Sequence, residues 1–165
     1  MLLLHADSIR LAIKVALVSL ASYLLGFQFT SLFHGASAGI GALWSVISGI
    51  LVLQAEWRGT RSSAWIRVMG TLVGSIVSAL YLVLLPFNPI GMAGSILVTV
   101  LICYAARIPE DARLASLTVA VIMVLASLDP SLSPLVGAAL RFCESCLGTA
   151  MALTVARLWP ERHTS

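Results

Sequence analysis

The chain has 165 residues, is 59% hydrophobic and 10% charged, and carries a net charge of +3. A soluble domain carries about 25% charged residues, so the composition excludes a water-soluble fold and makes the bilayer the solvent that sets the rules. Sparse aromatics and the lack of a basic tract exclude a nucleic-acid footprint, and the length suits one transmembrane domain over residues 1–165.

The N-terminus MLLLHADSIR does not read as a cleaved signal, because His5, Asp7 and Arg10 interrupt it and an apolar stretch follows directly. A crossing helix needs about 20 apolar residues. The first span is expected at 9–29, with Arg10 and Lys14 one turn apart near its start. Topology accounts for both cations. Lys14 nevertheless sits deep enough to need water or an acceptor, and it is a candidate anion contact.

After the break FTSLFHG, a second span is expected at 36–55. Its small residues, 35-GASAGIGALWSVISGILVLQ-54, suit close packing. The alternative is a pore or cavity lining, in which Ser45, Ser48 and Gln54 supply polarity and Trp44 stacks on an aromatic ring. EWRGTRSS then separates this span from a third at 64–85. Arg67 and Gly74, seven residues apart, share a face of that helix, and Gly70, Gly74 and Ser78 form a small-residue ridge along it.

PFNP, RIPEDA and DPSLSP punctuate the rest and leave spans at 91–107, 112–128 and 135–158. The fourth and fifth are short. A re-entrant hairpin there would bury the charged tip RIPEDAR in lipid, so two full crossings are expected. Asp129, before Pro130, reads as an exposed turn residue. Continuous apolar runs, rather than alternating ones, exclude a β-barrel. The fold class is therefore an all-α membrane protein with six transmembrane helices.

Six crossings place both termini on one side. That side holds Arg10, Lys14, Arg58, Arg61, Arg67, Arg107, Arg113, Arg157 and Arg162, against Arg141 alone on the other. The positive-inside rule makes the termini cytoplasmic. Trp57, Trp65 and Trp159 fall at the cytoplasmic boundary and read as belt residues.

The isolated Arg141 has a counterpart. At an offset of 74, 67-RVMGTLVGSIVSALYLVLLP-86 aligns with 141-RFCESCLGTAMALTVARLWP-160, matching Arg67 to Arg141, Gly74 to Gly148, Ser75 to Thr149 and Pro86 to Pro160. Gly148, Ala152 and Ala156 repeat the small-residue ridge. A repeat of three spans, 9–86 and 87–160, inverts the second copy, the plan many transporters use with the solute site near the midplane.

Arg141 and Glu144 are either an i,i+3 pair worth a few tenths of a kcal/mol or an anion contact with Glu144 orienting the arginine or carrying a proton. Cys143-x-x-Cys146 lacks the thioredoxin-like setting of a redox pair. Zinc would need two more ligands, and His5, His34 and His163 are scattered over both faces. No nucleophile–base constellation, metal cluster or phosphate loop is present, so no enzyme and no cofactor are expected.

The stretches 10-RLAIKVALVSLASYLL-25, 51-LVLQAEWRGT-60, 67-RVMGTLVGS-75 and the closing 141-RFCESCLGTAMALTVARLWP-160 together resemble the fusaric acid resistance protein-like family, also called aromatic acid exporters. That resemblance implies a six-helix membrane unit exporting aromatic carboxylic acids and related organic anions. It also implies similarity to the membrane part of plant aluminium-activated malate channels, which pair around an anion path. Arg67 and Arg141 are then the foremost anion contacts. Many members add a large cytoplasmic domain or a second membrane unit, so one unit here points to a homodimer or small channel.

The expected function is an inner-membrane transporter or channel for small organic anions, surrounded by membrane lipids and working as a homodimer, with Arg67, Arg141, Glu144, Lys14, Trp44 and Gln54 as candidate site residues. The alternative is a non-transporting scaffold or accessory subunit.

Overall fold

The computed structural model describes residues 6–54 and 57–159, with side chains from Ser8 onward. His5, Pro160 (the repeat partner of Pro86), Arg162 and His163 lie outside the described residues. In chain order the elements are α1 (Ala6–Phe33), a 3-10 turn (Gly35–Ser37), α2 (Ala38–Val52), α3 (Trp57–Leu84), α4 (Pro89–Ala105), a second 3-10 turn (Pro109–Asp111), α5 (Ala112–Leu128) and α6 (Pro134–Leu158). No strand occurs among the described residues. Among the described residues, five segments are long and apolar enough to cross a membrane: Ser8–Phe33, Gly35–Val52, Trp57–Leu84, Pro109–Leu128 and Pro134–Leu158. The sixth helix, α4, is apolar but has 17 residues, about 26 Å of helix against a hydrocarbon core of about 30 Å.

Two breaks are narrower than the residue types suggest. FTSLFHG was expected to end the first span at 29, yet α1 continues to Phe33. No helix breaker precedes Gly35, and the Ser31 hydroxyl donates back to the Gln28 carbonyl at 2.8 Å. Of the break EWRGTRSS, expected as loop, residues 57–63 form the first turns of α3. Charge does not disfavour helix there, and the turn before α3 is tied by Thr60, whose Oγ1 accepts from the Gln54 N–H at 3.0 Å.

The chain forms two compact units, Met1–Trp65 with Glu144–Ser165, and Ile66–Cys143. The unit boundaries cut α3 and α6.

In the first unit α1 buries a single row four residues apart: Lys14, Val18, Ser22, Gly26 and Thr30. Away from this row, Val15, Ser19, Ala21 and Phe29 are half-buried, while Leu17, Leu20, Leu24 and Phe27 are exposed. Lipid tails are as apolar as leucine, so no hydrophobic force turns those side chains inward. The buried i±4 row instead forms a smooth ridge along which a neighbouring backbone can lie. Val18, Val52, Leu53, Ala64, Ala152 and Ala156 make the apolar cluster of this unit.

In the second unit α4 turns Ser95, Thr99 and Cys103 inward, again every fourth residue. Cys103, Ala112 and Ala115 cluster with Val73, Val100 and Ile108, and Ala79, Ile122 and Ala138 form a second cluster. α4 starts on Asn88, whose side chain accepts from the Gly91 N–H at 2.6 Å, with Pro89 at the first helical position. It ends in a Schellman motif: the Ile108 N–H donates to the Cys103 carbonyl at 2.9 Å and the Arg107 N–H to the Tyr104 carbonyl at 3.1 Å, with Arg107 left-handed at φ 59°.

Many hydroxyls along the spans are satisfied inside their own helix. Ser48, Thr71, Ser78, Thr99, Ser116 and Thr118 each donate to the carbonyl four residues earlier. Lipid offers no water for this purpose.

Candidate functional site

Glycine brings three helices of the first unit together. A Cβ on Gly148 of α6 would run into the Ser45 carbonyl of α2 and come within 2.9 Å of the Gly49 N–H nitrogen. A Cβ on Gly49 would meet Val18 and Ser22 of α1 at 2.7 and 2.9 Å and the Gly148 carbonyl at 3.2 Å. Gly26 of α1 faces Ser45 in the same way, at 2.7 Å. At these contacts α1, α2 and α6 meet backbone to backbone, an approach available only to residues without side chains.

Around this contact the interior is polar. Lys14, Ser22, Thr30, Ser45, Ser48, Glu144, Ser145 and Thr149 are all buried. Thr30 of α1 donates its hydroxyl to Glu144 Oε1 of α6 at 2.6 Å, with both side chains fully buried. Gly41 of α2 closes this pair from the third side, since a Cβ there would collide with Thr30 Oγ1 and Glu144 Oε1. Ser48 of α2 and Ser145 of α6 lie 3.2 Å apart, oxygen to oxygen. The hydroxyls of Ser22, Ser45 and Thr149 find no hydrogen-bond partner among the described residues. Buried hydroxyls without partners are rare and call for a water or ligand.

The second unit holds the two buried arginines among the described residues. Arg67 is fully buried and Arg141 is 3% exposed. The ridge that begins one turn after Arg67 packs on α5: Gly70 faces the Asp111 carbonyl and Leu114, both 3.1 Å from a built Cβ, and Gly74 faces the Ala115 carbonyl at 2.5 Å and Thr118 at 2.8 Å.

At the offset of 74, seven buried positions of α3 meet buried positions of α6: Ala64 and Ala138, Arg67 and Arg141, Gly70 and Glu144, Thr71 and Ser145, Gly74 and Gly148, Ser75 and Thr149, Ser78 and Ala152. The two 3-10 turns begin 74 residues apart, at Gly35 and Pro109. The helices after them begin at the same spacing, and α3 and α6 end at it, at Leu84 and Leu158. α1 and α4 do not share this register.

Of the expected site residues, Lys14, Trp44 and Glu144 fall inside the first unit, all buried, and Arg67 and Arg141 inside the second. Gln54 is apart from them: it is exposed, in the turn between α2 and α3. Thr30 lies beyond the expected end of the first span and was not singled out. Its signal was the register Lys14, Ser22, Thr30, a polar residue every eighth position on a helix otherwise rich in leucine. Cys143 and Cys146 are half-buried one turn apart on α6. Chemically, the first unit holds a buried cation, Lys14, and a buried carboxyl, Glu144, among hydroxyls, and the second holds two buried guanidiniums and the buried carboxyl of Asp111.

A family model described as fusaric acid resistance protein-like matches residues 17–155, more than four-fifths of the chain. No curated protein and no solved structure matches it.

Proposed function

The chain belongs to the fusaric acid resistance protein-like family, and from that premise we propose that it is an inner-membrane transporter or channel for small organic anions, with aromatic carboxylic acids as its cargo. It is a multi-pass membrane protein, and its family points to transport rather than catalysis. The observation that carries the proposal is the burial of Arg67 and Arg141 at matched positions of two membrane helices. A buried arginine costs about 2.5–3.5 kcal/mol at a helix centre on insertion scales, and such a residue is by default a functional one. A guanidinium offsets the otherwise prohibitive transfer of a carboxylate into low dielectric and binds it bidentately.

The same reading has all six helices crossing, both termini in the cytoplasm, and two chains pairing as a homodimer. The helices form two inverted three-helix repeats that exchange their third members. The exchange is supported by α3 laying its glycines on α5 while α6 lays Gly148 on α2. Export of an anion from a negative interior is downhill by about 2.3 kcal/mol per charge per 100 mV, so flux needs no energy source of its own.

The test is flux. Purified protein in liposomes should pass benzoate under an imposed membrane potential, Arg141→Ala should abolish the flux, and Arg141→Lys should retain part of it. Wild-type flux equal to that of protein-free liposomes overturns the proposal in favour of a scaffold.

A further inference from the structure

We propose that Glu144 and Thr30 form an intramembrane proton-binding site, roofed by Gly41. Glu144 has no exposure, and its Oε1 accepts the Thr30 hydroxyl at 2.6 Å from a helix 114 residues away in sequence. A carboxylate held away from water is expensive, and protonation is one of the ways to remove its charge.

A hydroxyl suits both protonation states, because it is donor and acceptor at once. With Glu144 ionised, Thr30 donates to it. On protonation the new O–H of Glu144 donates to Thr30 Oγ1, and the Thr30 hydrogen turns to the Gly26 carbonyl four residues earlier. One proton enters and forms the Glu144 O–H, two hydrogen bonds are re-aimed, and no other covalent bond is made or broken.

Among the described side chains of its unit, Glu144 is the one carboxyl. α2 carries no titratable or charged side chain, and His34 stands at the head of the turn before it. On α1 the buried row contains Lys14, four turns from Thr30. The first turns of α3 carry Arg58 and Arg61, both exposed. On α6 itself Arg141 lies one turn earlier, with Cys143 and Cys146 nearby and Arg157 at the last turn. Gly41 keeps the pair closed on the third side, since alanine there would push a methyl into both oxygens.

Proton binding stands on this geometry alone, whereas its coupling to anion movement rests on the transport reading above. The experiment therefore has two arms. In the first, purified full-length protein in nanodiscs is acidified and its carboxylic acid C=O infrared band followed. Wild type should gain a band that is absent from Glu144→Gln. Thr30→Val removes the donor to the ionised form, so its band should appear earlier on acidification, by about one pH unit, while Thr30→Ser follows wild type. A band that persists in Glu144→Gln, or none while the protein stays folded, overturns the proton site and makes Glu144 a fixed charge. A Thr30→Val band coincident with wild type removes Thr30 from it.

In the second arm, benzoate flux in liposomes is driven by a pH gradient alone. Wild type should respond to the gradient and Glu144→Gln should not. Infrared titration without a flux response overturns the coupling. Failure of all wild-type flux overturns the transport reading and leaves the infrared result standing.

Discussion

Gly148 of α6 has no room for a β-carbon, because one built there would strike the carbonyl oxygen of Ser45 on α2. Gly74 of α3 stands in the same relation to Ala115 of α5. In both places the obstacle is backbone, which cannot swing aside as the end of a flexible side chain can.

Gly148→Ala and Gly74→Ala should therefore each destabilise the protein, by about 1–3 kcal/mol for overpacking, less the roughly 1 kcal/mol that alanine gains over glycine in a helix. Gly94 is the control: nothing lies within 4 Å of a Cβ there, so Gly94→Ala should be neutral or stabilising. Thermal unfolding of the three variants in one detergent checks the order.

Asn88 closes the turn between α3 and α4 in two directions. Its Oδ1 accepts from the Gly91 N–H and its Nδ2 donates to the Tyr81 hydroxyl, both at 2.6 Å. Asn88→Ala should cost about 1 kcal/mol, the usual loss of a helix cap. Asn88→Asp keeps the acceptor but loses the donor, and should fall between alanine and wild type in the same unfolding assay.

Arg107 occupies a left-handed position, φ 59°, where a residue with a side chain is strained by roughly 1–2 kcal/mol. Arg107→Gly should raise the unfolding temperature, Arg107→Asn should stay near wild type, and Arg107→Val should lower it. A stable Arg107→Val would show that the Schellman closure does not form in the membrane.

The proposed topology rests on the distribution of arginines and is open to direct labelling. With Cys103, Cys143 and Cys146 replaced by alanine, cysteine at Ser131 should react with an impermeant maleimide in intact cells. Cysteine at Arg58 should react only after permeabilisation. The reverse pattern would invert the orientation and remove the downhill direction for anion export.

The helices were legible in the residues themselves. Apolar runs too long and too continuous for anything but a helix in lipid give their number and order, and Gly-Thr and Gly-Ser steps 74 residues apart mark the matched third and sixth spans. Small-residue ridges at Gly70, Gly74 and Ser78, and at Gly148, Ala152 and Ala156, marked helix contacts without naming their partners.

The partners were decided by tertiary structure. In water, apolar periodicity points a helix face toward the core. In lipid the apolar face points outward, and the buried face is set by which small and polar residues allow two backbones to close. The break residues therefore left Thr30 in an expected loop. Only the approach of α1, α2 and α6 at Gly26, Gly41, Gly49 and Gly148 brings Thr30 to Glu144.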